Sequence, residues 1–159
     1  MAMEEIVHPR FKQAIDSLEP SFKKLMTMEP VRLGQFPNVM PTKGVYLFSE
    51  GKDHLYVGRS NKLHKRPNRH LGTHRMAAFA FRLAREATGF FKPSYKKGPE
   101  SRDGLMRNPK FVKAFMAAKD RIRKMDVRFV GEENSDNQVL LEVYCAFTLN
   151  APYNDFDTH

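Results

Sequence analysis

Two short runs of β-forming residues on either side of a turn constrain the fold of this chain more than any other feature. The runs are residues 44–49 (GVYLFS) and residues 54–60 (HLYVGRS), and residues 50–53 (EGKD) between them have the composition of a hairpin turn. We therefore expect two adjacent antiparallel strands.

Helical patterns and a third strand follow the hairpin. Residues 62–71 predict a basic helix that Asn61 caps and that Pro67 weakens or kinks. The remaining segments are two helices with apolar stripes at 76–87 and 109–125, a basic loop at 89–108, an alternating strand at 126–131, and a helix at 137–150 capped by Ser135 or Asp136. This order predicts an α/β (α+β) fold, with a small three-stranded antiparallel sheet flanked by helices.

The N-terminal part of the chain has a different character. Residues 9–28 carry apolar side chains at helical spacing and predict one or two amphipathic helices interrupted near Pro20, while residues 30–41 contain the prolines and glycine of an extended connector. We thus divide the chain into an N-terminal helical extension and connector at 1–42 and a domain at 43–159, with an insertion at about 73–124.

The charge balance favours an anionic partner. Lys and Arg outnumber Asp and Glu to give a formal charge of +9, which promotes binding to polyanions such as nucleic acid, although it is also compatible with a role in solubility alone. The single cysteine, Cys145, cannot form an internal disulfide, and the N-terminal residues do not resemble a secretory signal. A cytoplasmic protein without a membrane span is the expectation.

Five polar side chains stand at positions that could bring them together. Tyr46 and Tyr56 lie on the paired strands and can share one face of the sheet. Arg66 and His70 are one helical turn apart and project together. Glu142 lies in an apolar helix, where an ionised carboxylate needs a cation to balance it, and a bound metal ion is one candidate.

The order of these residues resembles the GIY-YIG nuclease family. The chain has Gly44-Val45-Tyr46 and Tyr56-Val57-Gly58 on the hairpin, then Arg66 and His70 on the following helix. Towards the end it has Glu142 and the later Asn154. The extension at 1–42 lies outside this resemblance, the stretch from 73 to 124 is long for the family, and Pro67 directly after Arg66 departs from its pattern.

The resemblance implies an endonuclease that hydrolyses phosphodiester bonds, with DNA as the first substrate to consider and RNA left open. Glu142 would hold Mg²⁺ or Mn²⁺, Arg66 would bind the scissile phosphate, and Tyr46 would take the proton from the attacking water. Tyr56 and His70 would orient that water and the Tyr46 hydroxyl. An anionic tyrosine would need Arg66 and the metal ion to lower its pKa from the usual value near 10.

Other residues are expected to support the site. Gly44, Gly58 and Asn154 would have structural roles next to it. Phosphate contacts would come from five basic residues: Arg59, Lys65, Arg69, Lys96 and Lys97. Two other interpretations stay open, a nucleic-acid-binding protein that kept this scaffold without cutting and a basic interaction domain whose tyrosines are structural. Specificity, oligomeric state and pathway are not predicted.

Overall fold

A computed structural model describes residues 7–90 and 98–156 of the chain. Its centre is a three-stranded antiparallel sheet with strand order β2-β1-β3 and helices on both faces, which confirms the predicted α+β class. The strands are β1 (Gly44–Glu50), β2 (Asp53–Ser60) and β3 (Asp126–Gly131), all within one or two residues of their predicted bounds. None of the helices in the described ranges combines the length and the apolar character that a membrane crossing requires.

The register of the hairpin places both predicted tyrosines on one face. Tyr46 pairs with Gly58 and Phe48 pairs with Tyr56, and an irregularity follows Phe48. Since side chains alternate along a strand, Tyr46, Phe48 and Tyr56 point to the same side of the sheet. We call this side of the sheet, which carries Tyr46 and Tyr56, the first face.

Helices α3 (Ala78–Thr88) and α5 (Pro109–Arg123) cover the first face. Their aromatic side chains pack against each other, with the Phe81 and Phe111 ring centroids 4.9 Å apart, and they belong to the same buried cluster as Tyr46. The predicted insertion is thus an integral part of the core. The segment predicted as a basic loop also contains a short helix, α4 (Arg102–Leu105), which Ser101 caps by accepting a hydrogen bond from the Gly104 N–H.

The second face is covered by helices from the two ends of the chain. Helix α2 (Leu18–Thr27) and helix α6 (Ser135–Thr148) pack on Val45, Leu47 and Val57, and the buried Cys145 belongs to this cluster. Helix α6 is capped by Asn134, whose Oδ1 accepts from the Asn137 N–H at 3.0 Å, rather than by Ser135 or Asp136 as predicted. Asn134 precedes both predicted caps, so the helix begins earlier than its apolar pattern.

The N-terminal helices break at a different residue from the one predicted. Helix α1 (Pro9–Asp16) ends at Ser17, whose hydroxyl donates to the Ala14 carbonyl at 2.6 Å, and Pro20 lies within the first turn of α2. A proline is tolerated there because the N–H groups of the first turn have no partner within the helix. The connector then bonds to the free edge of β3, where Val31 and Val127 exchange backbone hydrogen bonds of 2.9 and 2.7 Å.

The predicted basic helix at 62–71 is wrong as an α-helix. The structure has turns at 63–66 followed by a 3₁₀-helix at Pro67–Leu71. An α-helix through this segment would lose the hydrogen bond of residue 67 and would bring the Pro67 ring against the Leu63 carbonyl. Pro67 instead begins the 3₁₀-helix, where its missing N–H has no consequence.

Candidate active site

A buried hydrogen bond joins two of the predicted site residues. The Tyr46 hydroxyl lies 2.8 Å from His70 Nε2, and the two side chains are 1% and 0% exposed. Tyr46 projects from the central strand and His70 from the 3₁₀-helix that begins at Pro67, and this short helix turns the imidazole into the core. Nδ1 of His70 has no hydrogen-bond partner among the described residues.

Neighbouring atoms leave no room for a side chain at Gly44 or Gly58, the two glycines of the hairpin strands. A Cβ atom on Gly58 would lie 2.3 Å from both Cζ and the hydroxyl of Tyr46, and one on Gly44 would lie 1.9 Å from the Val130 carbonyl oxygen. Real Cβ contacts are never this short, so a side chain at Gly58 would displace the Tyr46 ring from His70. The predicted structural role of both glycines therefore has a steric basis.

Burial decides the protonation states of this pair. It raises the pKa of Tyr46 well above its ordinary value, the Tyr56 and Glu142 side chains raise it further, and the Arg66 charge opposes them. Burial, assisted by Arg66, also lowers the pKa of His70 to about 3. Both groups are therefore neutral at pH 7 while no cation is bound, because the Arg66 charge alone does not offset the desolvation of Tyr46; the combined effect of Arg66 and a metal ion stays a prediction.

Tyr56 forms an aromatic cluster with Tyr46 and His70, and it is the half-buried member of that cluster. Its ring lies 6.4 Å from Tyr46 and 5.3 Å from His70, and it stacks on Phe79 at 4.8 Å with an interplanar angle of 10°. Burial raises the pKa of Tyr56, while the charges of Arg82 and Arg66 lower it. Phe79 and Arg82 belong to the site and were missed, because in the sequence they are unremarkable members of an amphipathic helix.

Arg66 lies between the aromatic cluster and solvent. Its charge influences Tyr46, Tyr56 and His70, and its Nη1 donates to the Met76 carbonyl at 3.4 Å. The side chain is half-exposed, so other N–H groups of the guanidinium can reach an anion from solvent. This arrangement suits phosphate binding.

Glu142 approaches the cluster from the helix on the second face. It is ion-paired with Arg59, with 3.0 Å between Nε and Oε2, and its charge raises the pKa of both Tyr46 and Tyr56. Since Arg59 is on β2, the carboxylate lies beside this edge strand. Burial raises the pKa of Glu142 itself, and Arg59 opposes that rise.

Glu142 is compatible with a single-carboxylate cation site. The described residues contain no group of three or more His, Cys, Asp or Glu side chains that could enclose a metal ion. Mg²⁺ nevertheless often binds through one or two carboxylates, with water and substrate phosphate oxygens completing its shell. The donor set fits an ion that is shared with a substrate and does not fit a preformed protein cage.

The other predicted residues take various positions. Asn154 holds the C-terminal segment on the edge of β2, because its amide exchanges two hydrogen bonds of 2.7 Å with the Val57 backbone. Lys65 and Arg69 are exposed on either side of Arg66, as phosphate contacts require. Lys96 and Lys97 lie outside the described residues.

Comparisons with known protein families, with curated proteins and with solved structures give no match to this chain. The likeness to GIY-YIG nucleases is therefore a resemblance in the order of sequence motifs. The functional argument depends on the chemistry of that site.

Proposed function

We propose that this protein is a metal-dependent endonuclease that hydrolyses phosphodiester bonds of DNA. The observation that carries the proposal is the junction of a buried Tyr46–His70 hydrogen bond with a half-exposed arginine and a half-buried carboxylate. These groups come from β1, the 3₁₀-helix region and α6, which are distant in sequence.

Arg66 is the proposed phosphate-binding residue. Its guanidinium can donate paired hydrogen bonds to the phosphoryl oxygens, and its charge stabilises the negative charge that grows on them in the transition state. The formal charge of +9 and the exposed Lys65 and Arg69 favour a polyanionic substrate over a small phosphate ester.

Tyr46 and His70 are the proposed proton-transfer pair. A neutral phenol can accept a proton from water only as it passes its own proton on, and His70 Nε2 at 2.8 Å is the acceptor within reach. Burial lowers the pKa of His70 to about 3, so the imidazole is unprotonated at pH 7 and can accept the Tyr46 hydrogen bond, but it is a weak base until the negative charge of the substrate phosphate raises that pKa. Tyr56, whose ring borders both groups, would orient the reacting water.

Glu142 is the proposed ligand of Mg²⁺ or Mn²⁺. When bound, such an ion supplies positive charge for the phosphoryl and departing oxygens. The carboxylate suits this role because its charge acts on both Tyr46 and Tyr56 and because it is partly shielded from water, which strengthens its interaction with a cation.

The test is cleavage of plasmid and branched DNA by the purified protein with Mg²⁺ or Mn²⁺, and then with a chelator. Tyr46→Phe is the key variant, and Tyr144→Phe is its matched control, because the Tyr144 hydroxyl bonds to Glu19 on the second face of the sheet. We expect cleavage that the chelator and Tyr46→Phe abolish and that Tyr144→Phe retains.

Two other results would reject the proposal. DNA binding without cleavage in every metal would favour the binding-only alternative. Equal cleavage by the Tyr46→Phe and Tyr144→Phe proteins would show that the buried pair is structural.

A further inference from the structure

The ion pair between Arg59 and Glu142 gives Arg59 a partner other than substrate. Arg59 follows Gly58 on the edge strand, and its Nε lies 3.0 Å from Glu142 Oε2. The two side chains are unequally exposed, at 45% for Arg59 and 21% for Glu142. The carboxylate is therefore the more fixed member, and the longer, more exposed arginine is the one that can leave.

A divalent cation and this guanidinium compete for one carboxylate. Oε2 already accepts a charge-assisted hydrogen bond from Arg59, and a doubly charged ion on the same carboxylate would be next to the guanidinium, where like charges repel strongly in a partly buried site. Without Arg59, however, the bare carboxylate would repel an incoming phosphate. Arg59 therefore neutralises Glu142 while no cation is bound, but it opposes the binding of a cation to the same carboxylate.

We propose that Arg59 is a displaceable counterion that pairs with Glu142 until a divalent cation takes its place and then binds a phosphate of the substrate. This inference rests on the proposed function, because it requires Glu142 to be the cation ligand. Cation binding and phosphate binding then reinforce each other. A cation on Glu142 releases Arg59 to bind phosphate, and a bound phosphate holds Arg59 away from the carboxylate that the cation needs.

The first test measures Mn²⁺ binding by electron paramagnetic resonance of free Mn²⁺, with no nucleic acid present. Arg59→Gln removes the competing charge and should bind Mn²⁺ about tenfold more tightly than wild type, whereas Glu142→Gln should lose this binding. Arg69→Gln is the matched control, because it removes an equal and exposed charge from the 3₁₀-helix and should shift the affinity by less than about threefold.

The second test is free of metal and measures binding to a DNA oligonucleotide in chelator as a function of salt. Glu142→Gln frees Arg59, so the slope of log affinity against log salt should steepen by about 0.9, the value of one added phosphate contact on duplex DNA. The double variant Arg59→Gln, Glu142→Gln should lose that increment. Melting curves verify that each variant is folded.

The outcomes separate this inference from the nuclease proposal. Equal Mn²⁺ affinities of the Arg59→Gln and Arg69→Gln proteins, or equal salt slopes of Glu142→Gln and the double variant, would overturn the counterion role even in a protein that cuts DNA. Absence of Glu142-dependent Mn²⁺ binding would reject the cation site and the inference together. If Arg59→Gln binds Mn²⁺ more tightly as expected but the wild-type protein never cleaves DNA, only the nuclease proposal is rejected.

Discussion

Acidification should destabilise this protein through His70. Its imidazole is buried, bonded to Tyr46, and has its pKa lowered to about 3, whereas the unfolded chain titrates near the ordinary value of 6.5. Below pH 6.5 the unfolded state therefore binds a proton that the folded state does not. The stabilising contribution of neutral His70 is fully present above that pH and is lost progressively as the pH falls towards the folded pKa.

The size of this effect follows from the difference between the two pKa values. Each pH unit between them is worth about 1.4 kcal/mol for one proton, so a change from about pH 7.5 to about pH 5 should lower the free energy of unfolding by about 2 kcal/mol through His70 alone. That is a large fraction of the stability of a typical domain. Deep burial justifies the conversion here, because no solvent screens the group.

The measurement is urea unfolding of wild type, His70→Gln and His64→Gln at both pH values and equal ionic strength. Gln can replace the Nε2 bond to Tyr46 but does not titrate, so His70→Gln should lose about 2 kcal/mol less than wild type on acidification. His64 is exposed, and its variant should follow wild type. The reasoning is refuted if wild type and His70→Gln lose the same free energy of unfolding.

The remaining predictions concern the site and the basic surface. Glu142→Gln should reduce Mg²⁺-dependent cleavage by orders of magnitude while DNA binding survives, because it removes the charge of the ligand and keeps its shape; wild-type cleavage by a folded variant would contradict the metal role. Arg66→Ala should also abolish cleavage, through the loss of a preorganised donor worth about 3 kcal/mol to the transition state, with only slightly weaker binding in a gel-shift titration; an unchanged cleavage rate would exclude phosphate stabilisation by Arg66. Neutralising Lys96 and Lys97 together should flatten the salt dependence of DNA binding, and an unchanged slope would remove them from the interface. Gly58→Ala should lower the free energy of unfolding by about 1–3 kcal/mol, because its Cβ would overlap the buried Tyr46 ring, and a wild-type melting temperature would show that the ring can move away.

Local sequence patterns were sufficient for the sheet. Runs of β-forming residues around a short turn predict β1 and β2, and an alternating run predicts β3, because strand formation here follows residue type, side-chain periodicity and turn composition. The same reasoning was wrong for residues 62–71, where Pro67 produced a 3₁₀-helix. The cap of α6 was also misassigned, since three polar residues in a row, Asn134, Ser135 and Asp136, are all acceptable caps.

The sequence by itself determined that Tyr46 and Tyr56 share one face of the sheet, since the register of a hairpin is a local property. The tertiary structure alone decided what those residues can do. Desolvation depends on everything packed around a group, so no local pattern could predict that burial raises the pKa of Tyr46 and lowers the pKa of His70. The pairing of Arg59 with Glu142 joins residues 83 positions apart, and it exists only because α6 packs beside the edge strand.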